Sequence, residues 1–227
     1  MTRISDNLST INERIHTTAL RCGRSPDEIT LLAVSKKKPV GTIREAWDAG
    51  QRRFGENYVQ EAIEKITALH DLPIEWHYIG SIQSNKTRLI AENFDWVHGV
   101  DSLRQAHRLS SQRPADLNPL NICLQINISN EESKGGIDIQ ETESIATEIS
   151  RLPNVQLRGL MALPAPTNNL QQQAGIFSQM QQLFEQLNSK GLNLDTLSMG
   201  MSNDMEEAIR HGATIVRVGT AIFGQRD

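Results

Sequence analysis

At 227 residues with 38% apolar composition, the chain can bury a sizeable core and lies in the range that α/β barrels fill as single domains. A formal charge of −4 and a pI near 5.9 supply no basic field, which argues against nucleic acid and anionic membrane surfaces as partners. No apolar run approaches a membrane span, the opening Met1–Asp6 is polar, and Cys22 and Cys123 stand far apart; a cytoplasmic chain with reduced thiols and no cysteine-bound metal is expected.

Ile4, Leu8, Ile11 and Ile15 form a one-face helical stripe ahead of any strand, so an extra helix opens the chain. Leu31 to Val34 reads as the first strand, and it discharges into Lys36, Lys37, Lys38 and Pro39. Thr42-Ile43-Arg44-Glu45 has the spacing of a capped helix start, with Gly50 as the stop. Arg53 to Asn57 is a second strand, and Val59, Ala62, Ile63 and Ile66 mark the helix after it. Glu75 to Gly80 alternates as a third strand with Ser84 to Asn93 as its helix. Asp95 to Val100 is the fourth, and Asp101 is expected to cap a helix holding Leu103, Ala106 and Leu109. Past the polar connector Arg113 to Pro119, Ile122 to Ile128 is the clearest strand, and the polar, glycine-rich Ser129 to Gly136 is expected to be a mobile loop at its exit. Ile139 to Leu152 is helix, Val155 to Leu163 the sixth strand, and Pro164-Ala165-Pro166 ends it. Ile176, Phe177, Met180, Leu183, Phe184 and Leu187 give a wide apolar helix face. Leu194 to Met199 is strand seven, Asn203 to His211 its helix, and Thr214 to Val218 strand eight.

Eight strands alternating with helices over short loops predict a single α/β domain over 1–227, a (β/α)8 TIM-type barrel with an extra N-terminal helix. An open doubly wound sheet alternates similarly, but no Gly-x-Gly-x-x-Gly turn follows the first strand.

In such a barrel the site is built at the C-terminal ends of the strands. A lysine just past a core strand is either a solvated strand end or an amine nucleophile poised for a carbonyl compound. After strand seven, Ser198-Met199-Gly200-Met201-Ser202-Asn203-Asp204 combines a glycine with small hydroxyl and amide residues, and after strand eight Gly219 stands beside Thr220. Two such loops on adjacent strands suit a phosphate, whereas Ser202 and Asn203 alone suit helix capping, with Asn203-x-x-Glu206 as a capping box. Arg217 inside an apolar strand is either salt-bridged to a carboxylate or a fixed positive charge beside a heteroaromatic nitrogen. Asn57 and His77 are read at the ends of strands two and three, facing the same mouth as Lys36; His77 and His98 lack metal-ligand spacing, so no metal is expected. A lysine facing a phosphate cradle suits pyridoxal phosphate or a sugar-phosphate aldolase substrate.

LLAVSKKKP (31–39), RRFGENYVQE (52–61), WHYIGSIQSNK (76–86), GLMALP (159–164), LSMGMSNDMEEAI (197–209) and VRVGTAIFG (216–224) closely resemble the pyridoxal phosphate homeostasis protein family, the YggS/PROSC proteins. The resemblance runs nearly end to end, and it implies the barrel of the alanine racemase N-terminal domain, the fold-type III group. It further implies that Lys36 carries pyridoxal 5'-phosphate as a covalent Schiff base, with Lys37 and Lys38 as solvated neighbours. Ser202, Gly219 and Thr220 fall at the family's phosphate grip, Arg217 against the pyridine nitrogen, and Asn57 and His77 along the cofactor pocket.

The implied role is a carrier and regulator in vitamin B6 homeostasis, with no reaction of its own, serving pyridoxal phosphate-dependent apoenzymes as partners and acting as a monomer. Racemase-like enzymes use a second, β-rich domain that supplies a catalytic tyrosine, and this chain stops just beyond strand eight with only Tyr58 and Tyr78. A genuine fold-type III racemase or lyase using Lys36 and His77 is the alternative. The loop Ser129 to Gly136 is read as moving over the mouth, bringing Lys134 to the cofactor or an acceptor.

Overall fold

A strand in a closed barrel sends alternate side chains inward and the rest onto the surrounding helices. The computed structural model describes residues 2–128, 135–164, 167 and 169–225, and it realises that pattern eight times. The strands are β1 (Thr30–Val34), β2 (Arg53–Glu56), β3 (Glu75–Tyr78), β4 (Trp96–Val100), β5 (Leu120–Ile126), β6 (Val155–Ala162), β7 (Thr196–Ser198) and β8 (Ile215–Val218). They pair in parallel in sequence order, and β8 closes on β1 from Thr30↔Ile215 to Ala33↔Val218. Helices α2 (Val40–Asp48), α3 (Val59–Ala68), α4 (Thr87–Asn93), α5 (Leu103–Gln112), α6 (Ile139–Ile149), α7 (Leu170–Ser189), α8 (Met205–Arg210) and α9 (Thr220–Phe223) follow the strands in turn.

The outward strand residues carry the main core. Leu31, Ala33, Phe54, Val97 and Val216 join Ile43, Ala62, Ile90 and Phe177 from the helices in one apolar cluster. The barrel interior is different in kind. There Trp96, Cys123 and Met161 form a small separate apolar cluster, beside the buried polar side chains His77, His98, Ser198 and Arg217.

The extra helix α1 (Arg3–Arg21) buries Leu8, Ile11 and Ile15 on one face, a contribution of roughly 5–9 kcal/mol before chain entropy is charged against it. Polar side chains of the helix and of the turn that follows it decide where it docks. Asn7 donates to the carbonyl of Ile222, Arg24 donates to the carbonyls of Ile209 and Ala213, and Arg14 reaches both Glu206 and the carbonyl of Ser202. The helix therefore braces α8, α9 and the loop after β7.

Three expected caps sit elsewhere. α2 starts at Val40, directly after Pro39, whose ring already holds φ at −68°, so Thr42 is inside the helix. α5 is capped by Ser102 rather than Asp101, because extended Ser102 turns its hydroxyl to the Gln105 N–H. α8 starts at Met205, and its N-cap position is Asp204, without a side-chain cap. The expected loop at 129–136 falls mostly outside the described residues, including Lys134; Gly136 is described, at φ +139°, where an added Cβ would lie 2.7 Å from the Asn127 nitrogen. Among the described residues no helix is long and apolar enough to cross a membrane, and no group of three metal-ligating side chains occurs.

Candidate functional site

Alternation along β1 sends Leu32 and Val34 inward and, two positions beyond Val34, Lys36 to the C-terminal mouth, where it is half-buried against a cavity of about 660 Å³. The backbone around it is clamped from behind. Ser35 donates its N–H to Gly55 and its hydroxyl to Glu56 Oε1 at 2.6 Å, and Lys38 N–H closes a turn onto the Ser35 carbonyl. Lys37 takes the left-handed conformation, φ 59°, uncommon outside glycine, and its N–H is held by Glu61 Oε1 at 2.5 Å. Lys65 completes the clamp. Its ammonium meets the Ser35 carbonyl at 2.8 Å, Glu56 at 2.7 Å and Glu61 at 2.6 Å. Burial pushes the Glu56 carboxyl up from its ordinary value, against the opposing pull of Lys65, and its Oε2 has no partner.

The three lysines are sorted by this geometry. Lys37 is exposed, as expected, but Lys38 is half-buried, lines the same cavity as Lys36 and donates to the Gln225 carbonyl at 3.0 Å.

The opposite wall comes from the loops after β7 and β8. Gly200 is left-handed at φ +92°, and a Cβ there would lie 2.6 Å from Ala208 Cβ, so the chain passes close over α8 only as glycine. Its carbonyl accepts from Arg217 N–H. Gly219 passes the Val34 carbonyl so closely that a Cβ would sit 3.1 Å from the oxygen. Ser202, Asn203, Gly219 and Thr220 are thereby gathered along one side of the cavity. The capping alternative does not form: Glu206 is spent on Arg14 at 2.7 Å, and neither Ser202 nor Asn203 caps α8.

Arg217 is buried in the floor between the two walls. Nη1 donates to the carbonyl and hydroxyl of Ser198, each at 2.7 Å, and Nη2 donates to the Ala162 carbonyl at 2.8 Å. Oxygens of neutral groups, not a carboxylate ion pair, hold it in place. Burial pulls the guanidinium down to about 10, with the Asp204 charge opposing the shift, so it is a cation at neutral pH.

Asn57 also lines the cavity, and its buried Oδ1 has no partner. His77 does not. It occupies the third position of β3, one layer below the mouth, where Ile79 takes the place expected for it. There it is buried, stacked on Trp96 and bonded to Glu75 and His98. The sequence reading put it at the strand end without counting inward positions; the alternation Glu75, His77, Ile79 gives the mouth to Ile79 and leaves His77 one layer below. The same parity count marks His98 and Ser198, which the sequence reading left without a role. Asn203 and Asp204 in the lining belong to the strand-seven loop that the sequence marks, whereas no pattern assigns Lys38 to the cavity in advance.

Residues 6–227 match the family model described as alanine racemase, N-terminal domain. A curated relative from Escherichia coli (strain K12), named pyridoxal phosphate homeostasis protein, is 54% identical over 230 residues, covering 100% of this chain and 98% of its own. The solved structure of PipY from Synechococcus elongatus PCC7942 with PLP bound superposes with a TM-score of 0.84 at 38% identity, covering 97% of this chain and 100% of PipY. Alanine racemase from Corynebacterium glutamicum shares the fold at a TM-score of 0.66 and 17% identity, with 96% of this chain aligned to 61% of the enzyme.

Proposed function

The chain belongs to the alanine racemase N-terminal domain family and, within it, to the pyridoxal phosphate homeostasis proteins, and from that premise we propose that it holds pyridoxal 5'-phosphate at the C-terminal mouth of the barrel and buffers or hands on that cofactor in the cytoplasm. The observation that carries this reading is the meeting of Lys36, Arg217 and the Ser202–Asn203 and Gly219–Thr220 loops in one cavity, from three separate stretches of chain.

The lining fits the cofactor's chemistry. When bound, the cofactor supplies an aldehyde that amines add to reversibly, a pyridine nitrogen and a phosphate. Lys36 is the amine for the aldehyde, and the tight turn behind it limits how far that amine strays. Small hydroxyl and amide groups with two closely approaching glycines offer short donors to a phosphate. Arg217, a cation that cannot accept a proton from the ring, disfavours protonation of the pyridine nitrogen and weakens the ring as an electron sink. The unpartnered Asn57 Oδ1 leaves an acceptor for a polar group of the ligand.

The inventory of titratable side chains favours holding over catalysis. Those described in the lining are Lys36, Lys38, Asp204 and Arg217. His77, the acid–base partner that a racemase would need here, is bonded within the barrel instead. Tyr78 is buried and donates to the Ser81 carbonyl, and burial raises its hydroxyl to about 12. Transfer to apoenzymes follows from reversibility, because a second amine displaces Lys36.

Borohydride reduction of the cofactor-loaded protein followed by peptide mapping tests the assignment. The pyridoxyl group is expected on Lys36, with Lys38 the informative competitor since it lines the same cavity. A yellow chromophore surviving Lys36→Ala would overturn it. Incubation with L-amino acids in heavy water separates holding from catalysis: Lys36-dependent α-proton exchange at enzyme-like turnover would make the protein a racemase or lyase.

A further inference from the structure

A single file of buried hydrogen bonds runs through the barrel from the cavity floor to the opposite mouth. Arg217 Nη1 meets Ser198 Oγ at 2.7 Å, Ser198 Oγ meets His98 Nδ1 at 2.8 Å, His98 Nε2 meets His77 Nδ1 at 2.9 Å, and His77 Nε2 meets Glu75 Oε1 at 2.8 Å. Ser198, His98 and His77 are buried, while Glu75 is part-exposed at the N-terminal ends of the strands, in a polar opening shared with Arg53 and Arg158.

The two ends fix the direction of every bond between them. A guanidinium only donates, so Ser198 accepts from Arg217. Hydrogen bonding from His77, helped by Arg53, holds the Glu75 carboxyl below its ordinary value, so that end is a carboxylate and only accepts. His77 must then carry its proton on Nε2 and present a bare Nδ1. His98 donates to that Nδ1 from Nε2, which leaves its own Nδ1 to accept the Ser198 hydroxyl. Burial lowers the proton affinity of both rings, further for His98 beside His77 and Arg217, so each is neutral and each has one proton to place.

We propose that Glu75 is a positioning residue for Arg217: its carboxylate, at the far mouth, sets the tautomers of His77 and His98 and thereby aims the Ser198 hydroxyl away from the guanidinium that floors the cofactor cavity. Without the carboxylate the file runs the other way. His98 would then donate to Ser198 from Nδ1, and Ser198 would receive two donors on one oxygen, loosening its bond to Arg217. The charged groups around the file include Arg53, Asp95, Arg158 and Asp195 at the His77 end and Asp204 at the Arg217 end. None of them forms one of its four links. The role in cofactor holding rests on the reading of the cavity above; the tautomer assignment does not.

Nitrogen NMR of ¹⁵N-histidine-labelled protein near neutral pH reads the file directly. In the unaltered chain both rings are expected as the Nε2–H form, and adding pyridoxal phosphate is expected to shift the His77 nitrogens although His77 is outside the cavity lining. Glu75→Gln should preserve the pattern, since Arg53 already donates to the same oxygen and keeps a carbonyl facing His77. Glu75→Leu should move the His98 proton to Nδ1, shift the absorption of the bound cofactor and weaken its binding about tenfold, the equivalent of one charge-assisted hydrogen bond. An unchanged His98 in Glu75→Leu, or loss of the pattern in Glu75→Gln, would overturn the proposal. So would unmoved His77 resonances on saturating the unaltered chain, which also covers a leucine variant that does not fold. A chain with the expected tautomers that fails to bind pyridoxal phosphate would sink the cofactor reading alone.

Discussion

Replacing Lys65 by methionine removes the one cation from a cluster that secures the backbone on either side of Lys36. The side chain is 5% exposed and touches two carboxylates and the Ser35 carbonyl, and Glu56 beneath it is completely buried. Methionine fills a similar volume, so the cost comes from stranding Glu56 and not from a cavity. Breaking a buried pair this way costs about 3–5 kcal/mol, a large share of the roughly 5–15 kcal/mol that holds a domain folded. With a urea slope of about 2–3 kcal/mol per M, the unfolding midpoint should fall by about 1–2 M. The pH dependence carries a definite sign. Lys65 opposes the upward push of burial on Glu56, so in the variant the folded carboxyl rises further above the 4.5 of the unfolded chain. Between those two values the folded variant binds a proton that the unfolded variant does not, and its stability falls as pH rises. The gap from the unaltered protein should therefore widen as pH rises above the ordinary carboxylate range, and Lys65→Met with Glu56→Leu should recover more than half of it. A loss below about 1 kcal/mol, flat with pH, would mean that the cluster behaves as a solvent-screened surface pair and would refute the clamp.

Arg113 donates to the carbonyls of Ala91, Phe94 and Asn118 at 2.7–2.8 Å while buried; Arg113→Ala should cost about 2–4 kcal/mol in urea unfolding and leave cofactor mapping to Lys36 intact. Gly200→Ala meets both a positive φ and the Ala208 methyl; a loss of about 2 kcal/mol, or about 4–8 °C in Tm by calorimetry, is expected, together with weaker cofactor retention. Burial pushes the Cys123 thiol up to about 12, so a thiol reagent near pH 8 should label half-buried Cys22 and spare Cys123 until urea exposes it.

Much of this architecture is written locally in the chain. Strand and helix alternate because apolar runs such as Leu31–Val34 and amphipathic stripes such as Leu8–Ile11–Ile15 carry their own periods, and eight repeats with short connections leave few topologies besides a closed barrel. The lysine at the first strand's exit and the glycines after strands seven and eight were legible for the same reason: a strand end and a close backbone approach each leave a mark within a few residues. What the tertiary structure alone decided is depth and pairing. His77 sits a layer below the mouth because Ile79, the next inward position, takes the rim, and a two-residue step along a strand moves a side chain by a whole layer. Lys65, Glu56 and Ser35 meet through a strand, a helix and a turn separated by up to 30 residues, and Glu75 reaches Arg217 through residues of four strands. Such contacts have no period of their own, since hydrogen bonds between buried polar groups depend on closure of the barrel bringing distant positions within about 3 Å.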